Sequence, residues 1–183
     1  MYMDKKILKS FFLSVFLFAI MSCDNNNNGK TEEDNLKNKE DKITRNQDDA
    51  KLFVTATENY IRLINYNNYL KTKDSLTVET KFFLQSLNNE IQNRLSNLKK
   101  VSKDELILLP SKDEVLFLDK IDSVHKSEKD YLIKLDEMLD KQLSVMENLI
   151  KKSNNIKMNV LANETEDFLK AQKENVKKII SKR

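Results

Sequence analysis

Glycine and proline are almost absent from this chain, since Gly29 and Pro110 are the only ones in 183 residues. Tight β-hairpins need residues that accept positive φ, and glycine is the usual one. Phosphate-binding loops need several glycines at fixed spacing. The scarcity of glycine therefore excludes P-loop and dinucleotide-binding sites and argues against hairpin-rich β folds.

Apolar residues from Ala50 onward recur at alternating steps of three and four, which is typical of helices with one buried face. The pattern predicts helices over about residues 50–72, 77–101, 127–153 and 157–182, with a shorter helix starting at the capping box Ser111–Glu114. Such stripes are buried by packing the helices together, so the predicted fold is all-α: an antiparallel four-helix bundle with one short extra helix. The predicted inward side chains are Phe53, Ala56, Tyr60, Leu63, Asn67 and Leu70; Leu84, Leu87, Ile91, Leu95 and Leu98; Leu132, Leu135, Leu139, Gln142, Met146 and Leu149; and Leu161, Thr165, Phe168, Gln172, Val176 and Ile179. Phe82 and Phe83 are expected to thicken the second helix, and the apolar connection 106–109 to pack across an open end of the bundle.

The N-terminus has the pattern of a signal peptide. Lys5, Lys6 and Lys9 precede an apolar run over residues 11–20, which stops at Cys23. A membrane-spanning helix needs about 20 apolar residues, so this run is too short for a permanent span.

The junction Ile20, Met21, Ser22, Cys23 resembles the lipobox of bacterial lipoproteins. Met21, at position −2 relative to cleavage, is a mild departure from the small or aliphatic residue that is usual there. The resemblance implies cleavage after Ser22, a thioether-linked diacylglycerol on Cys23, and a further amide-linked acyl chain such as palmitate. Cys23 is the only cysteine, so no disulfide forms within the mature chain. Several acyl chains on one residue give a stable membrane anchor.

Residues 23–48 are expected to form a flexible linker behind the acylated Cys23, because Leu36 and Ile43 are its only large apolar residues. The predicted organisation is a leader at 1–22, this linker, and a helical bundle over 49–183. Of 32 basic and 29 acidic residues, loss of the leader leaves 29 and 28. This near-neutral balance argues against nucleic-acid binding and leaves the acyl groups as the membrane anchor.

The bundle region resembles the domain of unknown function 4142 family. The residues that carry the resemblance are Asp49-Ala50, Phe53, Ala56, Phe83-Leu84-Gln85-Ser86-Leu87, Leu98, Val101, Leu109-Pro110, Tyr131-Leu132, Leu135, Ala162 and Leu169. The resemblance implies a ferritin-like helical bundle, often exported in bacteria, with no established biochemical role. Many members carry histidines inside the bundle at positions that here hold Ile91, Leu139 and Gln172, so a metal bound through those histidines would have lost its ligands.

Catalytic and metal sites find little support in the composition. A di-iron site in a four-helix bundle requires Glu-x-x-His on two helices, and His125 is the only histidine. Asp122-x-x-His125 is more simply read as a solvent-facing pair. The sequence therefore predicts no enzyme activity, no metal site and no cofactor.

Four polar residues fall in or beside the predicted seams: Asn67, Arg94, Gln142 and Gln172. They either form a buried polar layer, line a small pocket between helices, or reach water from the seam edges. Tyr66 and Tyr69 are candidate surface contacts. The C-terminal lysines are read as complementing the dipole of the last helix, with headgroup contact as the alternative.

Two functions remain open. The first is a non-catalytic bundle held at a membrane by its lipid anchor, with an envelope protein or a second copy as partner. The second is binding of a small molecule or metal inside the bundle. The composition resembles that of AT-rich bacteria in which outer-membrane lipoproteins are common, which favours the outer membrane facing the periplasm; the inner membrane and the cell surface are the alternatives.

Overall fold

The computed structural model describes residues 28–115 and 127–183, with side chains in the first helix described at residue 37 and from residue 39 onward. These residues form four α-helices: α1 (Asn28–Lys71), α2 (Val78–Asp104), α3 (Glu128–Lys152) and α4 (Ile156–Ile180). No β-strand occurs among them. The predicted leader and Cys23 lie outside the described residues. So does most of the predicted short helix, of which residues 112–114 form a turn.

Side-chain caps define where three of the helices begin. Thr77 accepts a hydrogen bond from the Thr80 backbone N–H, and Asn155 accepts one from that of Met158. Ser127 and Asp130 form a complete capping box at the start of α3. Each cap satisfies a backbone donor that has no partner within its helix.

The chain divides after Ile43. In the first unit, the structure describes helical backbone from Asn28, and the described side chains there are exposed. In the second unit, Thr44–Arg183, the inward faces predicted for the first three long helices are confirmed, because every residue named for them is buried.

Contacts at the two ends of the bundle establish its topology. At one end, Asp49 in α1 accepts a hydrogen bond from Ser153 at 2.8 Å, and Asp104 of α2 pairs with Lys157 of α4 at 2.7 Å. At the other end, Glu79 of α2 pairs with Lys182 at 2.7 Å. We call these the Asp49 end and the Glu79 end.

The direction of the helices follows from these contacts. Helices α1 and α4 run from the Asp49 end to the Glu79 end, and α2 and α3 run the opposite way. The end of α2 and the start of α3 therefore lie at opposite ends of the bundle. A single long crossover is the connectivity of ferritin-like bundles, and the predicted all-α antiparallel four-helix bundle is confirmed.

The predicted inward face of α4 is wrong at two positions. Leu169 and Lys173 are buried, whereas Phe168 and Gln172 are half-buried. The stripe takes a step of four residues from Thr165 to Leu169, where the prediction took a step of three. Lys173 is accommodated because it forms ion pairs with Asp136, at 3.3 Å, and with Asp140 in α3.

The first helix also differs from the prediction, which began it at about residue 50. The helix runs without a break from Asn28. Residues 30–48 contain neither glycine nor proline, and oppositely charged residues such as Asp41 and Arg45 stand four apart, a spacing that supports exposed helices. The segment expected as a linker thus forms helix over residues 28–48, and its described side chains, at 37 and 39–48, are exposed.

Two apolar predictions outside the helix seams are corrected. Phe82 is exposed, and only Phe83 packs against the core. In the connection after α2, Ile107 and Leu109 pack against the core while Leu106 and Leu108 face water. The connection therefore covers the bundle with only two of its four apolar side chains.

Candidate functional site: polar groups within and at the ends of the bundle

The four predicted seam residues have different environments. Asn67 and Gln142 are fully buried, and neither amide makes a well-aligned hydrogen bond within the described part of the chain. Arg94 and Gln172 are half-buried. Gln172 lies 3.5 Å from Asn175, which donates to it on the same helix. Of the four predicted residues, Asn67 and Gln142 therefore belong to the polar interior and Gln172 to the edge.

Tyr60 forms the centre of a polar group with Gln142. Burial raises the pKa of the Tyr60 phenol, and weaker opposing effects come from hydrogen bonding with Gln142 and Thr165 and from the positive charge of Arg94. The Tyr60 hydroxyl nevertheless has no well-aligned hydrogen bond to a described residue. Four helices thus each bring one polar side chain to the same region of the core.

Arg94 reaches this region from the edge of α2. One of its guanidinium nitrogens donates to the backbone carbonyl of Glu164 at 3.1 Å. Its guanidinium carbon lies 4.1 Å from the ring centre of Phe168, a cation–π distance. The Arg94 side chain therefore joins α2 to α4 and explains why Phe168 stays at the edge of the core.

Asn88 was not predicted as part of the polar interior. It is buried, and its carbonyl oxygen lacks a partner among the described residues. The hydrogen bond from Lys71 to Gln85 places these two residues side by side on α1 and α2. Because the helices are antiparallel, one turn before Lys71 lies beside one turn after Gln85, so Asn67 is level with Asn88 and Asn89. Asn88 directly follows Leu87, a predicted buried position. The burial of Asn88 could have been predicted if the buried face of α2 had been taken as two residues wide.

A buried carboxylate lies at the Asp49 end. Burial raises the pKa of Asp49, and the nearby charges of Asp48 and Glu105 act in the same direction, while the hydrogen bond from Ser153 opposes them. A cleft of about 340 Å³ adjoins it, lined by Arg45, Asp48, Asp49, Lys152 and Asn154. No local sequence pattern predicts this burial, because it depends on Ser153, which is far from Asp49 in sequence.

A hydrogen-bonded ion cluster closes the Glu79 end. Arg183 donates to the Thr77 hydroxyl at 2.6 Å and pairs with Glu128 at 3.0 Å. Thr77 in turn donates to Glu128 through its hydroxyl, at 2.7 Å, and through its backbone N–H, at 3.2 Å. This cluster links the start of α2, the start of α3 and the residues after α4.

The pKa of Glu128 reflects this cluster. Burial alone would raise it, but hydrogen bonds from Thr80 and Thr77 and the charge of Arg183 outweigh burial and hold it below its ordinary value. Lys177 and Lys182 also have carboxylate partners, Glu174 and Glu79. Most of the C-terminal basic residues therefore pair with side chains of the bundle.

The two tyrosines that were candidate surface contacts, Tyr66 and Tyr69, pack against α3. Tyr66 is fully buried and donates from its hydroxyl to the Tyr131 backbone carbonyl at 3.0 Å. Tyr69 is half-buried, lies edge-on to the Tyr131 ring, and has the Lys73 ammonium 4.0 Å from its ring centre. Both rings thus hold α1 against α3.

The interior is suited to holding neutral polar groups. Amides and hydroxyls can donate and accept hydrogen bonds, but they are poor bases and nucleophiles without an activating partner. Within residues 28–115 and 127–183 no group of three or more His, Cys, Asp or Glu side chains is placed to hold a metal ion. The predicted site residues Ile20, Met21, Ser22 and Cys23, together with His125, lie outside the described residues.

Comparisons with family models, curated proteins and solved structures give no match to this chain. Among the described helices, none is both long enough and apolar enough to cross a bilayer.

Proposed function

We propose that this chain is a bacterial lipoprotein whose bundle has a non-catalytic, structural or interaction role in the cell envelope. The observation that carries the proposal is the sequence Ile20-Met21-Ser22-Cys23 at the end of a short apolar run, with Cys23 the only cysteine. Outer-membrane placement facing the periplasm is part of the proposal, as is a resemblance to the domain of unknown function 4142 family.

The described bundle supports a non-catalytic role. Its buried ionisable side chains make structural contacts: Lys173 pairs with Asp136, and Asp49 accepts from Ser153. The polar groups around Tyr60 are a hydroxyl, an amide and the edge-bound Arg94. These contacts fix helix register, as single buried polar residues do in coiled coils.

The segment between the proposed anchor and the bundle is suited to the role of a linker. Helix from Asn28 to Ile43 has a length of about 24 Å at 1.5 Å per residue. Its described side chains are exposed and charged or polar apart from Ile43. We propose that this stretch connects the acylated cysteine to the bundle and leaves the bundle free to meet the membrane surface.

Metabolic labelling with an alkyne fatty acid tests the anchor. We expect the wild-type chain to incorporate the label and to lose residues 1–22, and Cys23→Ser to do neither. The matched control is Ser22→Ala, which keeps a small residue before the cysteine and is expected to label normally. Equal labelling of wild type and Cys23→Ser would contradict the proposal.

Two further experiments address placement and partners. Separation of inner and outer membranes on a density gradient is expected to recover the protein with the outer membrane. Crosslinking in intact cells is expected to join the bundle to an envelope protein, a glycan or a second copy. Recovery of none of these would count against an interaction role.

A second function, binding of a small molecule inside the bundle, is favoured by the buried polar atoms of Tyr60, Asn67 and Gln142 that lack partners among the described residues. Groups of this kind can orient a neutral ligand between helices. Native mass spectrometry together with elemental analysis of the purified protein tests this alternative. A mass equal to the polypeptide and its acyl groups, with no stoichiometric metal, would remove it.

A further inference from the structure

Leu106 and Leu108, in the connection after α2, project into water at the Asp49 end of the bundle. Leu106 is 94% exposed and Leu108 is 92% exposed. Ile156, the first residue of α4, is 79% exposed. The ion pair between Lys157 and Asp104 holds the start of α4 beside the end of α2, so the three side chains share this end.

The backbone of Leu106 is also unfavourable for leucine. Its φ is 57°, in the left-handed region. Leu106 follows the C-cap Glu105, and hydrogen bonds from Leu106 N–H to Lys103 O and from Ile107 N–H to Ser102 O complete a Schellman turn. Glycine is the usual residue at this position because a Cβ atom crowds the backbone there. Leucine at position 106 therefore neither favours the left-handed backbone conformation nor packs in the core.

Basic side chains accompany these aliphatic ones. Lys103 lies in the last turn of α2, and Lys151 and Lys152 lie in the last turn of α3. All three are exposed and form no ion pair with another described residue. The neighbouring acids are less available, since Asp104 pairs with Lys157, Asp49 is buried and Glu105 is half-buried. The free charge at the ends of α2 and α3 is thus mainly positive.

We propose that this surface, which we call the aliphatic end and define as Leu106, Leu108 and Ile156 with the three lysines, contacts a lipid bilayer. The leucines and the isoleucine enter the headgroup region, and the lysines meet anionic headgroups, as on interfacial membrane-binding surfaces. The inference rests on the proposed lipid anchor. Within the bundle, the residues nearest to Cys23 in sequence also lie at this end, because Asp49 contacts Ser153 there.

The chemistry of the aliphatic end favours lipid over protein. Energetically dominant residues at protein interfaces are enriched in tryptophan, tyrosine and arginine, and leucine is under-represented. A two-fold contact with a second copy would bring both sets of unpaired lysines together, which like charges oppose. A bilayer with anionic lipids satisfies both the aliphatic and the basic groups.

Depth-dependent fluorescence quenching tests the proposal in the mature acylated protein. Because the thiol of Cys23 is then blocked, Leu108→Cys supplies a single site for a polarity-sensitive dye. The matched control is Phe82→Cys, at a side chain that is 73% exposed near the opposite end of α2. The protein is reconstituted into vesicles of phosphatidylethanolamine and phosphatidylglycerol that carry nitroxide-labelled lipid.

We expect several-fold stronger quenching at position 108 than at position 82. Leu106→Gly with Ile156→Ser, added to the labelled Leu108→Cys protein, is expected to abolish most of that difference. Leu106→Gly alone is expected to raise the Tm by about 2–4 °C, because glycine relieves the left-handed backbone. If these substitutions reduce quenching by lipid but do not lower the Tm, the side chains contribute to lipid binding and not to the stability of the fold.

Equal quenching at positions 108 and 82 would overturn the proposal. So would energy transfer between labelled copies at position 108, because a second copy would then occupy the surface. Mass spectrometry of the same samples reports the anchor separately. If Cys23 proves unmodified, the proposed function fails, and the same comparison in the Cys23→Ser background with added vesicles still decides whether the aliphatic end binds lipid.

Discussion

At the scale of single residues, the bundle buries several polar groups. Asp49 is buried with one hydrogen bond from Ser153, and burial raises its pKa. Asn67 and Gln142 are buried without well-aligned hydrogen bonds to described residues. Such groups cost free energy of folding unless something compensates for their lost hydration. Substitution of each buried polar group by a neutral or apolar one therefore measures its contribution to the free energy of folding.

Asp49→Asn is expected to stabilise the protein near neutral pH. A raised pKa means that the folded state binds the proton more tightly than the unfolded state, so stability falls as pH rises from the ordinary value of 3.8 through the raised one. The Tm of the Asn variant should exceed that of wild type by a few degrees at pH 7, with the difference closing below pH 4. Asp48→Asn, at an exposed carboxylate, is the control and should change little.

Gln142→Leu is expected to leave the Tm unchanged or raise it. The buried amide makes no well-aligned hydrogen bond to a described residue, and leucine has a similar volume without the desolvation cost. Thermal unfolding followed by circular dichroism measures the effect, with the exposed Gln92→Leu as control. A loss of more than about 2 kcal/mol would show that the amide makes a favourable interaction in the folded protein.

At the scale of elements, caps and charge pairs set where the helices begin and end. Ser127 and Asp130 close a capping box at the start of α3, which also has acidic residues in its first turn and Lys151 and Lys152 in its last. The charges complement the helix dipole at both ends. This agreement of local signals explains why α3 begins where the sequence predicted.

Ser127→Ala removes the serine side of the capping box and is expected to cost about 1 kcal/mol of folding free energy. Urea denaturation should show a lower midpoint with an unchanged slope. Ser144→Ala, in the exposed interior of the same helix, is the control and should be neutral or slightly stabilising, because alanine is the better helix former. Equal effects at the two serines would show that the cap contributes nothing.

The sequence predicted the helices better than their edges. Steps of three and four located the buried stripes of α1, α2 and α3, because burial repeats with the turn of the helix. The same rule failed in α4, where Lys173 takes an inward position that only its carboxylate partners in α3 make favourable. Tertiary partners of that kind leave no local pattern. The burial of Asp49 and Tyr66 was missed for the same reason.

The helix from Asn28 to Asp48 was missed because helix formation was inferred from burial. Its charged residues favour helix through backbone propensity and i,i+4 pairs, which need no apolar stripe. Leu106 and Leu108 show the reverse error. Their apolar character predicted burial, whereas both side chains are almost fully exposed in the connection after α2.

At the scale of the whole molecule, the bundle is closed by contacts between residues far apart in sequence. Arg183, Glu128 and Thr77 join three chain segments at the Glu79 end, and Asp49 with Ser153 joins two at the other. The long crossover leaves α2 and α3 parallel, so each helix packs against antiparallel neighbours. Buried polar groups in the core and ion clusters at both ends therefore act together to fix one register.

Glu128→Gln is expected to destabilise the protein by about 1–2 kcal/mol at pH 7, because it weakens charge-assisted bonds to Thr77 and Arg183. The pKa of Glu128 is held below its ordinary value of 4.5, so its contribution is present above that pH and is lost as pH falls through the lowered value. The difference from wild type should thus close in acid. Glu137→Gln, at an exposed pair with Lys134, is the control.

Mass spectrometry of the mature protein, isolated from bacterial membranes, tests the proposed anchor most directly. Our account predicts a chain that begins at Cys23 and carries the mass of a diacylglyceryl group on its sulfur, with a further acyl chain on its amino group. A chain that still contains residues 1–22, or one that begins at an unmodified Cys23, would contradict it.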